Sequence, residues 1–250
     1  MKLNAFNDGV DITGEEIYSF LMIGQSNMAG RGELIESEQI TNDKCFMFRM
    51  GRWQKMSEPI NPDRALFGIK FPSGACLATS FADCVSNHYG VKVGLIPCAD
   101  GGTGIDAWQK GEVLYDYTVM MANLAKRSSK IAGIIWHQGE TDAYSLTRAK
   151  AHKQKFIDMI TSLKKDIGLE NVPVIIGELA YNYERNFGDN HLLINKQYHE
   201  IASELDGFAV VSAKDLTLKA DGLHFNLPSL REFGKRYFEE YKKVTKDSIR

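Results

Sequence analysis

No stretch of this chain stays apolar for anything near the roughly 18 residues that cross a bilayer. Its opening, MKLNAFNDGVDITGEE, also lacks the apolar core of a secretory signal. The expected setting is therefore cytoplasmic, with no membrane as partner. Charge of one sign is lacking too: 30 Lys and Arg stand against 32 Asp and Glu, a net of -2. Such balance gives no general attraction to a polyanion, so no nucleic acid is expected as partner. Cysteine is scarce, with only Cys45, Cys76, Cys84 and Cys98, no C-x-x-C, and no His-rich cluster around them. Reduced, mostly buried thiols are expected rather than a disulfide framework or a metal site. Proline is scarce as well, six against 22 glycines, which suits tight loops in a well-ordered fold.

What is present is the composition of a globular protein, 44% hydrophobic and 25% charged. The 250 residues carry no repeat, linker or low-complexity tract, so a single domain over 1–250 is expected. Five short apolar runs read as strands: Ile17 to Ile23, Val91 to Pro97, Ile131 to His137, Val172 to Glu178 and Phe208 to Ser212. Most are apolar throughout, as strands covered on both faces of a parallel sheet are. Helical periods lie between them. Ala75 to His88 aligns Cys76, Leu77, Phe81 and Val85, and Leu114 to Arg127 aligns Val119, Met120, Leu124 and Ala125. Leu146 to Lys165 aligns Phe156, Met159, Ile160 and Leu163; His191 to Leu205 and Ser229 to Lys243 follow the same period. The alternation predicts a three-layer α/β/α sandwich around a parallel five-stranded sheet, with right-handed crossovers. Residues 45–71 break the alternation and read as an insertion holding a small hairpin and loop, of the kind that shapes a substrate site.

Ligands of open parallel sheets bind beyond the carboxyl ends of the strands. After the first strand comes Gly24-Gln-Ser-Asn-Met-Ala-Gly-Arg-Gly, and after the second Cys98-Ala-Asp-Gly-Gly-Thr-Gly. After the third comes Trp136-His-Gln-Gly-Glu-Thr-Asp, and past the fifth Asp221-Gly-Leu-His-Phe-Asn. These residue types suit acyl transfer. A serine hydroxyl needs an adjacent base, so Ser26 is the candidate nucleophile and His224 the candidate base. Asp221 precedes His224 by three residues, and Gly222 permits the tight turn that aims both side chains one way. Its carboxylate can take the imidazole Nδ1–H and leave Nε2 to the serine. Taken singly, each reads as readily as a helix-capping serine or a turn before the last helix; together they favour catalysis.

Acyl transfer also needs donors at the developing oxyanion. Candidates are the Ser26 N–H, an N–H of the Gly101-Gly-Thr-Gly loop, and the Gln138 side-chain amide. The glycine loop lacks the Lys-Ser/Thr that a phosphate-binding loop requires. Gln138 reads equally well as an amide pinning two loops.

Together, Gly24-Gln-Ser-Asn-Met-Ala-Gly, Gly101-Gly-Thr, Trp136-His-Gln-Gly-Glu-x-Asp and Asp221-Gly-x-His-Phe resemble the sialate O-acetylesterase-like branch of the SGNH hydrolases. That branch includes carbohydrate esterase family six, with its acetylxylan esterases. The resemblance runs from about Ile17 to Tyr241. It implies a flavodoxin-like sandwich, with Ser26 as nucleophile, His224 as base and Asp221 as its partner. It also implies an oxyanion hole of Ser26, Gly102 and Gln138. Gln25 stands where the wider superfamily has Asp, and Gln138 where it has Asn, both usual for the branch. Glu140 is an alternative acid for His224, or an anchor for the first loop near Ser26 or Arg31.

His137 reads as a structural, hydrogen-bonded histidine. His88, His152, His191 and His199 fall in helical patterns without evident partners. Trp53 and Trp108 are candidate sugar contacts, or equally core anchors. Arg31, Arg64 and Lys70 are cations that could meet the carboxylate of a sialic acid. The expected activity is carbohydrate O-acetylesterase, a serine hydrolase with an acetylated carbohydrate as partner, no cofactor and no metal. A lipid-like acyl ester or thioester hydrolase is the alternative. A carbohydrate-binding module is disfavoured, because binding alone has no need of Ser26, Gln138, Asp221 and His224 together.

Overall fold

Along the first strand, β1 (Ile17–Gly24), side chains alternate between two cores: Leu21 and Ile23 face one, Phe20 and Met22 the other. The same two-residue period splits Ile134 from Ile135 on β5 (Lys130–His137) and Ile176 from Ile175 on β6 (Val174–Gly177). A strand apolar on both faces needs a cover on each side, and the helices supply it. In this computed structural model, which describes residues 9–61 and 72–249, α3 (Val113–Ala125), α5 (Leu146–Asp166) and α6 (Asn190–Glu204) close one core. The other is closed by α2 (Leu77–Tyr89) and α7 (Leu227–Val244). The three-layer α/β/α sandwich is thus the observed architecture.

Among the described residues the sheet has seven strands rather than five. The hairpin expected in the insertion is there, as β2 (Cys45–Arg49) and β3 (Arg52–Lys55), and it joins the sheet. β2 lies parallel to β4 (Lys92–Pro97), giving the order β3-β2-β4-β1-β5-β6-β7, with β7 at Phe208–Val211. Among the described residues, the β2–β3 pair alone in this sheet is antiparallel. Phe46 and Phe48 face one core and Cys45 and Met47 the other, so β2 is buried on both faces, while the outer strand β3 keeps Arg52 and Lys55 exposed. Arg64, Lys70 and the rest of the insertion's second half lie outside the described residues.

The helices fall close to their expected spans. On α3 the buried set is Leu114, Tyr115, Thr118, Met121, Ala122 and Ala125, and Met120 is 48% exposed rather than inward. Apolar residues surround that helix, so its period does not define a single face. α5 buries Phe156, Met159, Ile160 and Leu163 as expected. α7 starts at a cap: the Asn226 side chain accepts from Ser229 N–H at 3.0 Å, and Pro228 occupies the first turn, where no N–H is missed.

The chain lays β4 on one side of β1 and then β5 on the other. That reversal opens a crevice beyond the ends of β1, β4 and β5. At its floor β1 and β5 approach so closely that a Cβ on Gly24 would overlap the His137 carbonyl oxygen, and Gly24 also has φ 134°. Only glycine fits there.

Candidate active site

Beyond Gly24 the backbone turns at Gln25, whose N–H bonds the His137 carbonyl at 2.9 Å, and enters the single-turn helix α1 (Ser26–Ala29). The turn lifts Ser26 to the rim. Its partner arrives on the β7–α7 connection, folded into a small hairpin by Lys219 N–H to His224 O at 2.7 Å and by a Leu218–Phe225 bridge. Gly222, at φ 61°, supplies the left-handed residue that this tight turn needs.

Within the turn, Asp221 Oδ1 accepts from the Leu223 and His224 N–H groups, each at 2.9 Å. Asp221 Oδ2 lies 2.8 Å from His224 Nδ1, and His224 Nε2 lies 2.9 Å from Ser26 Oγ. Burial opposes ionisation of Asp221, but the His224 N–H, the His224 ring and the Leu223 N–H outweigh it and hold the carboxyl down at about 2. A carboxylate so fixed sets one imidazole tautomer, Nδ1 protonated, which leaves Nε2 able to accept the serine proton.

Ser26 and His224 open onto a pocket of about 390 Å³ walled by Arg31, Gly101, Gly102, Thr141, Tyr144 and Leu223 among others. Among the described residues, neither the Ser26 nor the Gly102 backbone N–H has an acceptor. Gly102 has φ 77° and is exposed beside the pocket.

A protein-family model described as carbohydrate esterase, sialic acid-specific acetylesterase matches residues 16–243. The chain belongs to this family. It is 26% identical over 241 residues to a probable carbohydrate esterase of Arabidopsis thaliana, an alignment spanning 89% of each protein. The solved structure of that plant protein superposes with a TM-score of 0.79 over 92% of this chain and 98% of the other. The structure of NanS, 16% identical, superposes at 0.78 over 94% and 99%, and shares the fold. So does a carbohydrate acetylesterase from Xanthomonas citri, 20% identical, at 0.69 over 92% of this chain and 57% of that one. As a carbohydrate esterase the chain is a carboxylic ester hydrolase.

The other residues singled out in this esterase's sequence fall in three places. Ser26, His224, Asp221, Gly102 and Arg31 are gathered at the pocket. Gln138 is fully buried and does not wall it. Its Nε2 donates inside the protein, to Asp142 Oδ2 at 2.7 Å, Thr103 O at 3.0 Å and Gln25 Oε1 at 3.2 Å. A primary amide has two protons, and these acceptors use both. That geometry matches the loop-pinning role weighed for Gln138, not an amide aimed at an oxyanion. The two tryptophans are core anchors rather than sugar contacts. Trp53 packs on Gly94 and donates to Ser128 Oγ at 3.0 Å. Trp108 packs edge-on to Trp136 and donates to Thr103 Oγ1 at 3.1 Å.

Glu140 opens the short helix α4 (Glu140–Ala143) and is buried, and its Oε1 accepts from Asn27 Nδ2 at 2.6 Å. His137 is fully buried between Phe225 and Phe233, with Nε2 3.3 Å from Glu140 Oε1. Three helical histidines have partners after all. His88 meets Asp247 at 2.8 Å, His199 meets Glu178 at 2.6 Å, and the buried His152 meets Tyr198 Oη at 2.8 Å. Those partners lie on other elements, which a helical pattern does not reveal. Sequence reasoning also passed over Asn27, inside the first motif, and Tyr144, whose 54% exposed ring at the pocket wall leans edge-on against Phe187. Neither stands out by spacing or period.

Proposed function

We propose that this esterase removes acetyl groups from sugar hydroxyls through an acetyl-enzyme on Ser26. The observation that carries the reading is the continuous line from Asp221 through His224 to Ser26, at 2.8 and 2.9 Å, opening on a pocket. Ser26 Oγ attacks the acetyl carbonyl carbon while His224 Nε2 takes its proton. The tetrahedral oxyanion is received by the Ser26 and Gly102 N–H groups. Gln138 serves by holding the loops that carry them. The bond to the sugar oxygen then breaks, and that oxygen leaves with the proton from His224. Water attacks the acetyl-serine, gives its proton to His224, and acetate departs as Ser26 recovers the proton. No step draws on a metal or organic cofactor.

The Tyr144 ring is suited to the apolar face of a pyranose. Arg31 stands on the same wall, so an acidic sugar such as an O-acetylated sialic acid is to be tested beside neutral ones. A lipid-like acyl ester is the remaining alternative. The test is acetate release from acetylated sialic acid, acetylated xylooligosaccharides, acetylated hexoses and longer-chain acyl esters, beside Ser26→Ala. Acetylated sugars are expected to be the better substrates, and Ser26→Ala is expected to lose on the order of 10³-fold or more in kcat. A folded Ser26→Ala enzyme with near-normal turnover would falsify the acetyl-serine route. Preference for long acyl chains would overturn the substrate class.

A further inference from the structure

Both ring nitrogens of His224 are engaged, Nδ1 with Asp221 and Nε2 with Ser26. No ring nitrogen is left for Glu140, yet this buried carboxylate sits at the same site. Besides the His137 ring at 3.3 Å, it meets Asn27, the residue after the nucleophile, and Asn27 is fully buried. Asn27 Oδ1 accepts from Phe225 N–H at 3.1 Å, and Asn27 Nδ2 reaches Leu223 O at 3.4 Å as well as Glu140 Oε1 at 2.6 Å. One amide therefore touches the backbone on each side of His224 from a position next to Ser26.

We propose that Asn27 is a positioning residue that fixes His224 against Ser26, and that Glu140 acts through Asn27 rather than on the imidazole. The inference rests on the serine-esterase reading and names two residues that this reading does not itself require. An ionised carboxylate only accepts hydrogen bonds, so it turns the Asn27 amide with its NH2 towards Glu140. The Asn27 carbonyl must then face Phe225 N–H. Burial opposes the charge on Glu140, but the His137 ring and the Asn27 amide outweigh it, so the carboxyl lies below its ordinary range and the orienting charge persists. Without Asn27, the His224 segment keeps its own turn but loses the side-chain clamp on its backbone, leaving the bond from His224 to Ser26 itself as its link to the helix that carries Ser26.

The hydrogen bond can be taken apart and rebuilt with its polarity reversed. Asn27→Ala removes it. Asn27→Asp sets a second carboxylate against Glu140, and the two can stay together only by taking up a proton that the parent pair does not need. The double variant Asn27→Asp/Glu140→Gln restores it, since the introduced amide donates to the introduced carboxylate, whose other oxygen accepts from Phe225 N–H. The readouts are kcat and KM on 4-nitrophenyl acetate, the rate of serine labelling by an alkyl fluorophosphonate, and melting temperature. Asn27→Ala and Asn27→Asp are expected to lower kcat and labelling rate together by about 10- to 100-fold, with KM within about twofold. The double variant is expected to recover most of the loss. A merely structural role would lower melting temperature and leave kcat per folded molecule in place.

Either of two results overturns the proposal: a folded Asn27→Ala enzyme with kcat within about twofold of the parent, or a folded double variant no more active than Asn27→Asp. Should Asn27→Ala not fold, the second comparison decides alone. Ser26→Ala, assayed alongside, separates the outcomes. If it is active, the serine-esterase reading fails; if it is dead while Asn27→Ala is unimpaired, only the positioning role fails.

Discussion

An imidazole with a carboxylate on one nitrogen and a hydroxyl on the other can move a proton only in one tautomer, and at Asp221 the choice is made by three donors. Two backbone N–H groups occupy Oδ1, so Oδ2 is the oxygen left for His224. Asp221→Asn keeps the shape but turns an NH2 towards Nδ1. The ring must then carry its proton on Nε2, facing Ser26, where it cannot act as base. We expect kcat to fall on the order of 10⁴-fold, as an Asp-to-Asn change does in serine proteases. Glu140→Gln keeps an oxygen for Asn27 to donate to, so its loss is expected to be the smaller; kcat measured on both folded variants checks the order. Gln138→Ala should behave differently again. It strips a partner from the buried Asp142 and unties Thr103 from Gln25, so a stability loss of about 1–3 kcal/mol is expected. The fall in kcat should be less than the 10²- to 10³-fold that accompanies removal of a direct oxyanion donor. Melting curves beside kcat decide: a stable variant with a thousandfold lower kcat would return Gln138 to the oxyanion.

Elements bring these residues together, and the last helix begins just after the base. α7 begins at Asn226, two residues past His224, where the Asn226 side chain caps Ser229 N–H and also donates to Thr217 Oγ1 at 2.6 Å. Asn226→Ala is expected to lower stability by about 1 kcal/mol, and Asn226→Asp, which keeps the capping oxygen, by less. Denaturant midpoints of the two variants test this, and equal losses would mean that the cap is not what Asn226 contributes. Much at this scale was legible from the chain. Five apolar runs became β1, β4, β5, β6 and β7 because strands covered on both faces, almost fully for the first four and partly for β7, favour a continuous apolar composition. The hairpin was legible but its place was not, since pairing of β2 with β4 joins residues far apart in sequence. The inward face of α3 was hidden by apolar residues all round it. At the site, the meeting of Asp221 with His224 could be read from a spacing of three residues, whereas Ser26, 198 residues from His224, could be placed near them only through its position after a strand end. Gln138, Trp53 and Trp108 could not, because whether an amide or an indole faces solvent depends on the neighbours that folding supplies.

Across the whole molecule, carboxylates held ionised in the folded state tie stability to pH. Under the end of β5, Asp142 is fully buried, and it accepts from Gln138 Nε2 and from Ile105 N–H at 2.9 Å, with His152 Nδ1 3.4 Å away. Burial opposes its charge, yet the His152 ring, Gln138 and Ile105 outweigh that and keep its carboxyl below the ordinary 3.8. Glu140 lies below its ordinary 4.5, and Asp221 is at about 2. In each case the unfolded chain binds a proton more readily than the folded one. The stabilisation is therefore fully present above the unfolded values and is lost as pH falls through the folded ones. Melting temperature should be insensitive to these groups above about pH 5 and should drop steeply between about pH 4.5 and 2. Asp142→Asn removes one of the three titrations. Its melting point at neutral pH should be lower, because an amide there sets an NH2 against donors, but its decline on acidification should be shallower than the parent's. Melting temperatures of both proteins, taken at half-unit steps from pH 7 to 3, give the two slopes. Parallel declines would mean that Asp142 shares no part in the acid transition, and a parent that gains stability below pH 4 would reverse the sign argued for all three carboxylates.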